Sequence, residues 1–452
     1  MSPSCSRSLF PQSLGWLAWA VLTATLTHAQ IARNVVRQKI AGVDVLAYKT
    51  GVEEVITLRG SLPAGDIFSA QGNVAIATLT GLMLDKGTTR HDKFAIAEKL
   101  EGVGATLNFS VDMEMLEFQA KCLKKDIALV VGLLAEQLRS PAFSPEEFTK
   151  VQKQFVGGLR RQMESPDFRA ADAFSRAVYP PGHPNRQAAP TEFVTATERA
   201  SLAELKAFHA KYYGPAHFTL VAVGDIDVAQ LQEAIAHAFN GWTGGVALPP
   251  VARSRESEAP RTQTVLMPDK ASVSVILGQA SGLRHSDPDY LAIRMATAIL
   301  GSGFSSRLVG QVRDTEGLTY GIGSRLGNDT FSDGDWRIGA TFSPDLLARG
   351  LASTKRQLEQ WYQAGVTAQE VAQRKTNLIG EFKLGLATTE GMAGALLVTV
   401  HRGYDVTWLD NYPAKINALT VAEVNAAVKK YLRPENMYVV QAGTIPEAGA
   451  QK

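Results

Sequence analysis

The chain has 452 residues, with 46 basic against 44 acidic side chains, a net charge of +2 and only two cysteines. A balance this close to neutral gives no support for nucleic-acid binding or for an electrostatic membrane anchor. Two cysteines exclude a disulfide framework, so a large hydrophobic core has to carry stability, and the length accommodates about two to four domains.

Residues 1–13 contain one charge, Arg7, and no acid; an apolar run over residues 14–26 follows, and then Thr27-His28-Ala29. A basic start, a 13-residue apolar segment and small residues before a cut read as a secretory signal peptide over residues 1–29. The run is shorter than the ~20 residues a spanning helix needs. Cys5 stands before it rather than at its end, which argues against a lipoprotein anchor. The expectation is an exported protein, periplasmic or secreted, with no membrane anchor. Its removal takes away Arg7 and Cys5, leaving a charge of +1 and a lone Cys122, read as a small hydrophobe in an alternating run.

Beyond residue 29 the chain repeats itself. Residues 202–224 (LAELKAFHAKYYGPAHFTLVAVG) align without gaps on residues 421–443 (VAEVNAAVKKYLRPENMYVVQAG) at an offset of 219. Each copy predicts an amphipathic helix, a proline break and a short strand ending in glycine. Residues 143–147 correspond to 366–370 at offset 223, both predicting N-capped helix starts, and 101–103 to 316–318 at offset 215. Blocks in one order at nearly one offset mark a duplication of a half rather than a short-period solenoid. We therefore divide the chain into an N-terminal half (30–240), a linker rich in glycine, proline and charge (241–261) and a C-terminal half (262–452). The alternating run 106–121 predicts an antiparallel strand with one buried face, and each half reads as α+β, an antiparallel sheet with helices on one face.

Specific motifs then accumulate in order. Met83-Leu84-Asp85-Lys86-Gly87-Thr88, Ile96-Ala97-Glu98-Lys99-Leu100-Glu101 and Gly104-Ala105-Thr106-Leu107-Asn108 come first. Tyr179-Pro180-Pro181-Gly182-His183-Pro184 and Tyr212-Tyr213-Gly214-Pro215 follow. In the second half Leu300-Gly301-Ser302-Gly303-Phe304-Ser305-Ser306-Arg307-Leu308 runs directly toward Val312-Arg313-Asp314-Thr315-Glu316-Gly317-Leu318-Thr319-Tyr320. Together these resemble the insulinase/pitrilysin family of zinc peptidases, in its mitochondrial-processing-peptidase-like branch, over nearly the whole chain from about Val36 to Gly443. The resemblance implies paired homologous α+β halves.

It also implies a metal site that this chain lacks. Active members bind zinc through His-x-x-Glu-His on a helix and a distal Glu; the two His share a helix face, and the intervening Glu serves as general base for the metal-bound water. Counting back from Gly87-Thr88 puts the three motif positions at Thr78, Gly81 and Leu82, and the distal Glu falls near Gly158. Glycine and leucine side chains cannot ligate. The remaining histidines, His91, His183, His209, His217, His237, His285 and His401, form no His-x-x-Glu-His in either direction and read as surface or satisfied residues. Neither a catalytic nor a metal-ligating residue is expected in this chain.

What the resemblance retains is Arg313 and Tyr320, seven residues apart in the C-terminal half. In many members an Arg and a Tyr at this spacing hydrogen-bond the substrate backbone near the scissile carbonyl, two donors suited to a developing oxyanion. Read without the family, Arg313 is a surface ion pair with Asp314 or Glu316, and Tyr320 a half-buried strand aromatic. Arg307 reads rather as a brace for the glycine-rich element, with Gly301 and Gly303 allowing tight turns or close backbone approach. The expectation is a non-catalytic, peptide-positioning subunit whose homologous partner carries zinc in His-x-x-Glu-His, with unfolded peptides as substrates. The alternatives are a structural scaffold or a stand-alone peptide-binding protein.

Overall fold

The computed structural model describes residues 31–69, 72–254 and 259–446; the signal peptide assigned to residues 1–29 lies outside them. Two sheets organise the chain. The first takes β1 (Val35–Ile40), β2 (Val43–Lys49), β3 (Val55–Leu62), β4 (Thr106–Val111), β5 (Leu116–Leu123) and β6 (Thr219–Gly224), in the spatial order β1-β2-β6-β3-β5-β4. The second takes β7 (Arg261–Leu266), β8 (Val273–Ala280), β9 (Gly321–Gly327), β10 (Asp335–Phe342) and β11 (Tyr438–Gly443), in the order β7-β11-β8-β10-β9. Strip β1 from the first sheet and the two orders are the same. All neighbours are antiparallel except β2 with β6 and β11 with β7, so each sheet is mixed with one parallel pair.

The internal repeat is visible as structure. Helices Leu202–Tyr212 and Val421–Tyr431 start and end at the predicted offset, and so do β6 and β11. Both helices open on a capping box, Ser201 with Glu204 and Thr420 with Glu423, which satisfies amide groups that the first turn leaves unpaired. Both strands end on a glycine whose surroundings leave no room for a Cβ without strain. Gly224 (φ +140°) and Gly443 (φ +142°) carry backbones on which an added Cβ lies 2.0 Å from the Val55 carbonyl oxygen and 2.6 Å from that of Ser272. Helices Pro145–Gln162 and Ala368–Gly385 also correspond, but only Thr367 caps with its side chain; at the first, Pro145 opens the helix without a side-chain bond from Ser144. Proline supplies the helical φ there and has no amide to satisfy.

Each half's own helices cover one face of its sheet, and the other face is closed from across the molecule. Helix Pro166–Val178 of the first half packs Ala170, Ala173 and Phe174 on Ile276, Ala280, Val440 and Ala442 of the second sheet. Helix Thr389–His401, its counterpart 223 residues on, packs Met392, Ala393, Leu396 and Leu397 on Leu46, Val221 and Val223 of the first. The exchange explains why β6 and β8 are buried along their whole length, with no polar alternation. Hydrogen bonds fix the crossing: Thr57 Oγ1 with Thr389 Oγ1 at 2.8 Å, Ser61 Oγ with His401 Nε2 at 2.6 Å, and the Tyr179 hydroxyl donating to Asp335 at 3.0 Å.

One expectation needs correction. The run 106–121 is a hairpin, not one strand: Asp112 Oδ1 accepts the amides of Glu114 (2.9 Å) and Met115 (2.6 Å), which turns the chain between β4 and β5. β4 is the free edge of its sheet, with its outward residues exposed or half-buried. The linker, although mostly on the surface, is tied down. Gly244 stacks backbone to backbone on Gly214, and Ser254 is buried with its amide and hydroxyl donating to Asp333.

Candidate functional site

Helix Ile76–Leu82 carries the three motif positions, and packing as well as chemistry closes them to a metal. The Thr78 hydroxyl donates to Asp66 Oδ1 at 2.9 Å, and the Thr78 amide to the same oxygen at 3.2 Å. Gly81 lies so close to β4 that a Cβ there stands 2.3 Å from Val111 Cγ2. Leu82 faces solvent. Gly158 sits on helix Pro145–Gln162 with nothing but the Arg161 side chain near its missing Cβ. These residues do not fit a zinc ion, and among the described residues no three His, Cys, Asp or Glu side chains converge on a metal-sized point.

Carboxylates lie beside the altered site. Burial pushes Asp66 up to about 7 against the Thr78 hydrogen bonds, with Asp112 adding to the rise. Burial, with a contribution from Asp112, raises Glu114 to about 7 and Glu117 in the same direction. Asp112, Glu114, Glu117 and Asn185 of the first half and Phe331 and His401 of the second line a cleft of about 440 Å³ between the halves. Burial and the neighbouring Arg402 depress His401 to about 4, so its ring is neutral against Ser61.

The other histidines mostly meet structural partners. His91 bonds Glu136 at 2.9 Å, His209 the Leu138 carbonyl at 2.8 Å, and His285 the Tyr404 hydroxyl at 2.9 Å. His183 stacks on Tyr179 and lies 3.4 Å from Asp333 across the halves. Asn185 donates from its side-chain amide to the carbonyls of Asn328 and Asp333, so the Tyr179–Asn185 stretch of the sequence motif latches one half to the other. Cys122 is buried and its thiol is pushed up to about 12 by burial, with Asp126 adding to the rise.

In the second half Arg313 and Tyr320 are brought together. Arg313 sits in the π-helical turn Val309–Thr315, a geometry with i→i+5 bonds that recurs at functional sites. Gly317 takes φ +62°, and buried Leu318 donates its amide to the Val312 carbonyl at 3.0 Å. The chain is thereby folded back so that Tyr320, just before β9, returns to Arg313 with its ring centroid 5.5 Å from the guanidinium. The seven-residue spacing is therefore closed by a turn rather than by a continuous helix. Tyr320 is 90 % exposed, not the half-buried strand aromatic of the bland alternative. Arg313 keeps one loose ion contact, Nε to Asp314 at 3.7 Å.

Sequence reasoning missed a third member. Phe304 is 79 % exposed, and its ring centroid lies 5.4 Å from the same guanidinium. Its place after Gly303, which takes φ +75°, was legible; its exposure was not. Arg307 is a brace, forking onto Glu370 (2.6 and 2.8 Å) and donating to the Gly365 carbonyl at 2.9 Å. Burial opposes charge on Glu370, but Arg307 and Thr367 outweigh it and hold the carboxylate at about 2. Gly301 permits close approach, since a Cβ there meets the Ser324 amide nitrogen at 2.3 Å.

Comparison with known proteins agrees with this architecture. A family model described as "Insulinase (Peptidase family M16)" matches residues 61–180, and one described as "Peptidase M16 inactive domain" matches residues 199–378. The chain belongs to the M16, or insulinase, peptidase family. A crystal structure titled as a peptidase M16 inactive domain, from Pseudomonas fluorescens, superposes with a TM-score of 0.84 at 26% identity, covering 93% of this chain and 99% of that one. An uncharacterized zinc protease of Mycobacterium tuberculosis is 27% identical over 358 residues, 77% of this chain and 80% of its own. A non-peptidase homologue from Helicobacter pylori is 22% identical over 369 residues, 81% and 84% of the two chains. The relatives thus include both named zinc proteases and a named non-peptidase.

Proposed function

We propose that this chain is the non-catalytic subunit of an exported two-chain metallopeptidase, positioning peptide substrate for a homologous partner that carries zinc in His-x-x-Glu-His. One contrast carries the reading. Thr78, Gly81 and Leu82 offer no ligand set, whereas half-buried Arg313 and exposed Tyr320 stand together without a hydrogen-bond acceptor among the described residues. A guanidinium and a phenol held side by side can donate to one carbonyl oxygen and strengthen those bonds as charge develops on it. The free edge of β4 offers a second hold, since an extended peptide can add to it as a further strand.

Purified chain, purified zinc-bearing homologue and their mixture, assayed on unfolded peptides, test the reading. Cleavage by the mixture alone is expected, with Tyr320→Phe lowering turnover by roughly a hundredfold to a thousandfold, the usual cost of one oxyanion donor. Turnover independent of Arg313 and Tyr320 would return the chain to a scaffold role. Peptide binding with no enhancement of any homologue would favour a stand-alone binding protein.

A further inference from the structure

The cluster at Arg313 contains more than two donors. Phe304 and Tyr320 place their rings 5.4 and 5.5 Å from one guanidinium, and they are 79 % and 90 % exposed. An aromatic ring leaves water readily when another surface will cover it, and these two stay out although Leu308, Val309 and Val312 of the same segment are buried in the core. The turn itself holds Phe304 out. Gly303 takes φ +75°, and Ser306 donates its amide (3.2 Å) and hydroxyl (2.8 Å) back to the Gly303 carbonyl, which locks the loop that displays the ring. Next to it, Arg307 pins the following residues to Glu370 and Gly365. Phe304 is therefore presented by a braced loop beside the two donors.

Resting on the reading of Arg313 and Tyr320 as a backbone grip, we infer that Phe304 is a specificity-determining residue. Its ring is the apolar platform for the substrate side chain adjacent to the carbonyl that the two donors hold. The charge already beside that ring selects the side chain. A second cation is repelled by Arg313, and a carboxylate gains from Arg313 but not from the negative face of the ring. Large aliphatic and aromatic side chains alone are favoured by the ring without an opposing charge. The chain thus prefers peptides with Phe, Leu or Met at that one position, whatever the neighbouring sequence.

Fluorescein-labelled decapeptides of an alanine host, with Phe, Leu, Lys, Glu or Ala at one scanned position, are titrated against the chain by anisotropy. Wild type, Phe304→Ala, Phe304→Tyr and Arg313→Ala are compared, with thermal melts to confirm that each variant is folded. Phe304→Ala is expected to weaken the Phe and Leu peptides about tenfold, the scale of covering one aromatic face. It leaves the Ala, Lys and Glu peptides within about twofold, and Phe304→Tyr restores the preference. Equal weakening of all five peptides, or none, overturns the platform while Arg313→Ala still abolishes binding and upholds the grip. If the wild-type chain binds no peptide, or Arg313→Ala changes nothing, the grip itself falls and the platform with it.

Discussion

Gly81 gives the sharpest test of why this chain does not carry its family's metal motif. Alanine at 81 places Cβ 2.3 Å from Val111 Cγ2, against a comfortable carbon contact of about 3.5–4.0 Å, so Val111 has to move by more than about 1 Å or change rotamer. Such overpacking costs about 1–3 kcal/mol, whereas replacing a helical glycine by alanine returns about 1 kcal/mol. The net expectation for Gly81→Ala is destabilisation by about 0–2 kcal/mol rather than the gain of an unhindered site, read as a lower urea midpoint with an unchanged slope. Val111→Ala removes the obstructing methyl, so the double variant is more stable than the sum of the two single effects, with a coupling of about 1–2 kcal/mol. Strict additivity, or a stabilised Gly81→Ala, refutes the clash. The same geometry predicts that Thr78→His, Gly81→Glu and Leu82→His combined give a destabilised chain without bound zinc by elemental analysis. Stoichiometric zinc in that triple variant would show that ligand identity alone, and not packing, keeps the site closed.

Two further outcomes follow from the structure. Glu370 is held at about 2, below its ordinary 4.5, so its stabilising contribution is complete above about pH 4.5 and is lost as pH falls through about 2. Glu370→Gln should therefore cost about 2 kcal/mol at neutral pH, with the gap to wild type closing over that acid window in pH-dependent urea melts; a pH-independent gap would contradict the ion pair. Gly224→Ala should cost more than about 3 kcal/mol, because φ is +140° and the new Cβ lies 2.0 Å from the Val55 carbonyl oxygen. Gly104→Ala, at φ +65° with nothing within 4 Å, should cost only about 1–2 kcal/mol, and similar urea midpoints for the two variants would refute the steric account.

Much of the fold was legible because its signals are local. Apolar spacing announces the helices at 202–224 and 421–443, and Gly224 and Gly443 announce the strand ends after them, through chemistry confined to a few neighbouring residues. The Arg313/Tyr320 pair was legible only through the family pattern around it, since nothing in seven residues of sequence says that Gly317 and Leu318 fold the chain back. Phe304 was passed over because exposure is a property of everything that fails to cover a side chain. The hairpin at Asp112 was misread for a related reason: alternation continues on both sides of the turn, and only the Asp112 hydrogen bonds interrupt it.

The amino-acid order by itself determined the duplication, the α+β halves, the non-ligating residues at Thr78, Gly81 and Leu82, and the matching helix–strand pairs at 202–224 and 421–443. Tertiary structure alone decided that helices Pro166–Val178 and Thr389–His401 trade places across the two sheets, that β4 is a free edge, and that Arg313 stands between two exposed rings. Periodicity and caps act within one or two turns, whereas covering a sheet face joins residues some two hundred positions apart. That choice depends on which complete surfaces fit, and no local window of sequence contains it.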